Sequence, residues 1–236
     1  MERYKVNRFL YLLLIFPAIL SCQDKRLDWA KTNLSIPLDS ITSTFETQPY
    51  HDDDARGMKL YKSYDKRLLY FNGTKLDGRE VANNSAILYV SKMEERVIAI
   101  SLFTEDIEHT EALVKAVEEH LGDTDYHYFY AEDNIPARDK IWKKADRYYT
   151  LRVKDPDYLF GIKTKTACLT VFNSQSTAFV RWWFYEGGDF SGFYGQYIDE
   201  SEKIDHKDKQ YRYKDFVEQM DREHKNHGTT SQFFVP

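Results

Sequence analysis

Cysteine is nearly missing from this chain: two residues cannot build a disulfide framework. Proline and glycine are scarce as well, at 6 and 10 residues, while 16% of the chain is aromatic. That balance excludes a disordered or low-complexity chain and argues for a packed core. Positive charge is in deficit, with 33 Lys and Arg against 38 Asp and Glu. Such a chain has no electrostatic reason to bind nucleic acid or an anionic bilayer surface. Short catalytic signatures are missing too. There is no Gly-x-Ser-x-Gly elbow, no His-Glu-x-x-His and no phosphate loop. The carboxylate pairs Asp123/Asp125 and Asp155/Asp157 are ordinary in a chain this acidic. The balance leans away from an enzyme, and no cofactor is implied. The single long apolar run, residues 9–20, is shorter than the roughly 20 residues a spanning helix needs, and Pro17 interrupts it.

What is present at the start has the three parts of a secretory signal. Arg3, Lys5 and Arg8 form a basic beginning, and about a dozen apolar residues follow. The segment ends in Ile19-Leu20-Ser21-Cys22, which resembles the lipobox of bacterial lipoproteins, with Leu20 departing from the small residue preferred at its position. The resemblance implies cleavage before Cys22 and acylation of that residue, and several acyl chains hold a protein permanently at a membrane. Gln23 follows, where Asp is the familiar inner-membrane retention residue of enterobacterial lipoproteins, so the resemblance favours the outer membrane. Asp39-Ser40-Ile41 resembles the short O-glycosylation acceptor of Bacteroidetes. The acid close behind Cys22 is similar to the start of some surface-exposed lipoproteins of that group. If Cys22 carries lipid, Cys168 has no partner in the chain and reads as a buried, inert thiol.

Three segments follow from this: a signal over 1–21, a lipid-anchored tether leading into the domain over 22–57, and one globular domain over 58–236. Within the tether, Ser35 and Pro37 suggest the start of a short helix running through Ile41 and Phe45. Period-two patterning and turn residues predict strands over 58–64, 68–71, 86–90, 97–103, 126–130, 148–153, 166–172 and 179–185, with a turn at Asn72-Gly73. Tyr149, Leu151 and Val153 alternate with Tyr148, Thr150 and Arg152, the pattern of a sheet wet on one side. The strand over 97–103 is apolar on both faces and is placed centrally. A helix is expected from a cap at Thr104 to Gly122, burying Ile107, Thr110, Val114, Val117 and Leu121. A second, amphipathic helix is expected over 209–225, with Tyr213, Phe216, Val217 and Met220 on one face. The class is α+β: a mainly antiparallel sheet, one long central helix on a face, and a C-terminal amphipathic helix.

The candidate sites are few. The segment 179–197 is the richest in rings. Read as a strand, it sends Trp182 and Trp183 to opposite faces, so that Trp182 or Trp183 together with Tyr194 and Tyr197 can present rings to a sugar beside Glu186, Asp189 and Gln196. Set against that is a core strand followed by a loop in which Gly187, Gly188, Gly192 and Gly195 supply unusual backbone angles. His51-Asp52-Asp53-Asp54 offers oxygen ligands for a cation but lacks the spacing of a dedicated loop, and reads as solvated. His224 and His227 form at most half a zinc site, and no metal is expected. His109 and His120, each beside a Glu, read as solvent-facing. The leading expectation is a non-enzymatic lipoprotein whose domain binds a partner, an envelope protein or a glycan, at the cell envelope. A glycan-binding module and a metal-assisted hydrolase are the alternatives.

Overall fold

A computed structural model describes residues 26–77, 84–124, 126–132, 135–159, 162–186, 188, 190, 193–203 and 211–226. The class is α+β. Strands β1 (Gln48–Asp53), β2 (Met58–Ser63), β5 (Ser85–Ser91), β6 (Arg96–Thr104), β7 (Tyr126–Glu132), β8 (Ile135–Lys144), β9 (Arg147–Leu159) and β10 (Ile162–Asn173) form one antiparallel sheet. Their order is β1-β2-β5-β6-β10-β9-β8-β7. Two short strands, β3 (Tyr70–Phe71) and β4 (Thr74–Lys75), pair separately around the Asn72-Gly73 turn. Both turn residues have positive φ, 46° and 82°, as a tight hairpin of this hand requires.

The helices are α1 (Leu38–Thr42), α2 (Ile107–Leu121), α3 (Thr177–Tyr185), α4 (Phe193–Ser201) and α5 (Tyr213–Asn226). α2 leaves β6 and delivers the chain to β7 at the far edge of the sheet. Four strand spacings separate them, about 19 Å. A helix of 15 residues is about 22 Å long, enough to cover that span. The meander β7-β8-β9-β10 then returns beside β6, beneath the helix. Asp106, rather than Thr104, caps α2: its carboxylate accepts from the His109 amide at 2.8 Å. The buried stripe is Thr110, Leu113, Ala116 and Val117, with Val114 and Leu121 only partly covered. It is rotated toward Leu113 and Ala116 relative to the expected stripe.

Both faces of the sheet are covered. On one, α2 and the N-terminal segment bury Leu88, Val97, Leu151, Leu169 and their neighbours. On the other, α3, α4 and α5 bury Ile87, Tyr89, Tyr148 and Phe172. The half-wet sheet expected over 148–153 is therefore wrong on its second face. Thr150 is fully buried there because the Trp183 indole nitrogen donates to its hydroxyl at 3.2 Å. A polar residue on an alternating strand marks solvent only when no neighbour supplies a partner.

Part of the stretch read as tether and domain entry lies in the core. From Leu27 onward it is stitched to the β3–β4 region. The Leu27 and Trp29 amides donate to the Arg67 and Tyr70 carbonyls, and the Trp29 indole nitrogen to the Leu68 carbonyl at 2.8 Å. The Asp28 carboxylate accepts from the Asn72 and Gly73 amides, at 2.7 and 3.1 Å, and so holds the hairpin turn. Trp29, Ile41 and Phe45 are buried.

The strand expected over 179–185 is α3. Phe179, Trp183 and Phe184 form its buried side, four and five residues from the first, which suits a helix as well as the apolar run, interrupted only by Arg181, suited a strand. Strand β8 and helix α4 lie where neither was expected.

Candidate functional site

The helix α3 turns the candidate rings apart. Trp183 is buried, stacked on Phe179 and Phe190. Trp182 packs against Tyr89, and the Arg56 guanidinium lies 5.3 Å from its ring centre, itself held by Asp53 at 2.6 Å. Tyr194 and Tyr197 belong to α4: Tyr194 meets Tyr126 of β7 and Tyr148 of β9 edge-on, and Tyr197 packs on Tyr211, Tyr213 and Phe216 at α5. Tyr194 is buried and Tyr197 half-buried. The four rings therefore form no common platform.

Of the glycines of this region Gly188 and Gly195 are described, and these two act by closeness, not by a positive φ; Gly187 and Gly192 lie outside the described residues. A Cβ on Gly188 would lie 2.5 Å from the Trp183 Cα, and one on Gly195 would lie 2.7 Å from the Phe184 carbonyl oxygen. They let α4 and the loop before it press onto the end of α3.

Asp52 and Asp54 both pair with Lys92, and His51 is exposed. Among the described residues no group of three or more His, Cys, Asp or Glu side chains is arranged to hold a metal. The side chain of His224, and all of His227, lie outside the described residues, as does Cys22. His109 and His120 are not solvent-facing. His109 Nδ1 meets the Asp106 carboxylate at 2.9 Å, and His120 lies edge-on to Phe71 and Tyr149. Burial, reinforced by Lys144, pushes the His120 pKa below its ordinary value. Cys168 is half-buried, with its sulfur 3.7 Å from the Thr170 hydroxyl.

What the fold does assemble is a cleft of about 580 Å³ between the sheet and helices α4 and α5. Strands β7–β9 supply Tyr126, Trp142 and Tyr148; α4 supplies Tyr194 and Tyr197; Tyr211 and Tyr213 lead into α5. Tyr126, Tyr194 and Tyr213 are buried and interlock at ring separations of 4.4 and 5.1 Å. Tyr197 and Tyr211 are half-buried and stack at 6.0 Å. Their hydroxyls are tied down: Tyr197 donates to the Tyr211 carbonyl at 3.0 Å, and Tyr211 to Gln219 Oε1 at 2.8 Å. Burial, with the charge of Glu200, raises the Tyr211 phenol to about 12, so it stays a neutral donor.

The rim carries both charges. Lys143 and Lys144 stand with Asp123 and Glu202 around the opening. The Lys143 ammonium lies 5.2 Å over the Tyr148 ring, and Lys144 donates to the His120 carbonyl at 2.8 Å. Of the candidate rings, the cleft gathers Tyr194 and Tyr197 and leaves out Trp182 and Trp183. Its other aromatic members are spread from Tyr126 to Tyr213, a separation that no short-range pattern reveals. Their one signal is tyrosine density in the two flanking segments.

No family model matches the chain, and no curated protein and no solved structure matches it.

Proposed function

We propose that this chain is a lipid-anchored protein of the cell envelope, held at the outer membrane through Cys22, whose domain is a non-enzymatic binding module. The tyrosine-walled cleft is the observation that carries the binding half. It joins a packed aromatic floor to a rim of opposite charges, and its volume lies within the roughly 300–1,000 Å³ typical of ligand sites. Rings whose hydroxyls are already engaged give contact area without further ordering. The basic start, the apolar run and Cys22 support the anchor. No helix among the described residues is long and apolar enough to cross a membrane.

Two arms test the proposal. In cells fed labelled palmitate, the native chain is expected to carry label and to sediment with outer membranes. The Cys22→Ala variant should carry none; label retained in that variant contradicts the anchor. For the cleft, mature protein with Cys22→Ser is melted against fractions of envelope extract. A fraction that raises the midpoint by several degrees in this protein, and not when Lys143→Ala or Tyr197→Ala is added, supports the reading. A shift of equal size in all three proteins, or no shift from any fraction, overturns it.

A further inference from the structure

The cleft does not end at α4. A second hollow, of about 760 Å³, lies on the other side of a saddle formed by Lys143, Tyr148, Ile198 and Glu202, which line both. The second hollow opens toward α3 and has its own ring. Tyr185 is 40% exposed, and its hydroxyl donates to Asp199 at 3.0 Å. Arg181 and Glu186, paired with each other, stand beside it. Two half-exposed tyrosines, Tyr197 and Tyr211, therefore flank the saddle on one side and a third, Tyr185, on the other. In each case a hydrogen bond fixes the hydroxyl.

We infer that the two hollows form one trough that takes an extended oligosaccharide chain rather than a single sugar. The inference rests on the binding role proposed for the cleft. A sugar ring offers an apolar face for an aromatic ring and hydroxyls for the Lys143 ammonium and the Glu202 and Asp199 carboxylates. Such mixed demands suit walls that alternate tyrosine with charge. Each volume alone falls in the range of one small ligand, about 300–1,000 Å³, so the pair suits something longer. An extended peptide fits less well. Peptides of that kind are held largely by main-chain hydrogen bonds at an open strand edge. Here β8 and β9 are each paired on both sides, and the edge strand β7 reaches the trough only at its first residue, Tyr126.

Calorimetry on the mature chain with Cys22→Ser tests this, using neutral and N-acetylated oligosaccharides of two, four and six units and, separately, an unstructured hexapeptide series. In at least one sugar series, affinity is expected to rise tenfold or more between two and six units. Tyr197→Ala should weaken all lengths of that series. Tyr185→Phe, which keeps the ring and removes the hydroxyl that holds Asp199, and Arg181→Ala should weaken only the longer ones. Equal affinity for two and six units overturns the trough, as does equal loss at every length from Arg181→Ala. Binding of peptides and of no sugar overturns the inference while leaving the binding role intact. If neither binds and no envelope fraction shifts the melting midpoint, the binding role fails as well.

Discussion

Asp65 shows how much a single side chain can organise here. Its carboxylate accepts from the Arg67 amide and side chain and from the Glu46 amide, at 2.6 to 3.1 Å. Arg67 in turn reaches the Thr44 carbonyl and lies over the Phe45 ring. The pair therefore fastens the segment after α1 to the loop before β3. The hydrogen bond from Arg67, opposed by burial and helped by the two amides, holds the Asp65 pKa at about 2, below the ordinary 3.8. A carboxylate depressed in the folded state contributes stability above pH 3.8 and loses it as pH falls through 3.8 toward 2. Arg67 is partly exposed, so solvent screening trims the full linkage value. Asp65→Asn is expected to cost about 1–2 kcal/mol at pH 7. Urea denaturation at pH 7 and at pH 2 checks this: the gap between variant and parent should narrow at the lower pH. An unchanged gap counts against the linkage.

At the scale of elements, legibility followed the local signal. The helix α2 and the hairpin β5–β6 were readable because their periodicity, caps and turns lie within about ten residues of each other. The final helix was readable for the same reason: Tyr213, Phe216 and Val217 are buried and Met220 packs against them. The helix α3 was not. Phe179–Tyr185 is apolar except at Arg181, and neither period stands out until the sheet beneath it chooses. Strand β8 was hidden by Pro136 and five charged residues, which read as loop although Asp139 is buried in a two-bonded pair with Arg152. Gly192 and Gly195 disguised α4. Gly195 is required by the close approach of α4 to the Phe184 carbonyl, so Gly195→Ala must push the two helices apart. The expected cost is about 1–3 kcal/mol, the usual penalty for overpacking. Thermal melts read the loss. At Gly57, where the open space around Cβ leaves only the backbone angle to object, a Gly57→Ala change should cost about 1 kcal/mol. If Gly195→Ala proves the milder of the two, the close-packing account of α4 is wrong.

Over the whole molecule, the sheet separates two apolar layers with different tasks. The layer with α2 and the N-terminal segment is aliphatic around Trp29 and closes the fold. The other is built largely of rings and is left open where α4 and α5 meet β7–β9. The sequence signalled an excess of aromatics but could not say which would share a cavity. Tyr126 and Tyr148 of the meander, Tyr194 and Tyr197 of α4 and Tyr213 of α5 meet only after these elements have folded back on one another. The cleft is thus a tertiary property, and the most direct measurement of its role is one that sees each tyrosine separately. Mature protein labelled with ¹³C in the tyrosine rings is titrated with an envelope fraction that stabilises it. Signals of Tyr126, Tyr194, Tyr197 and Tyr211 are expected to move while those of Tyr50 and Tyr64, exposed beside Lys62 at the opposite edge of the sheet, stay in place. Movement of Tyr50 and Tyr64 with the cleft signals unchanged would contradict the cleft's binding role.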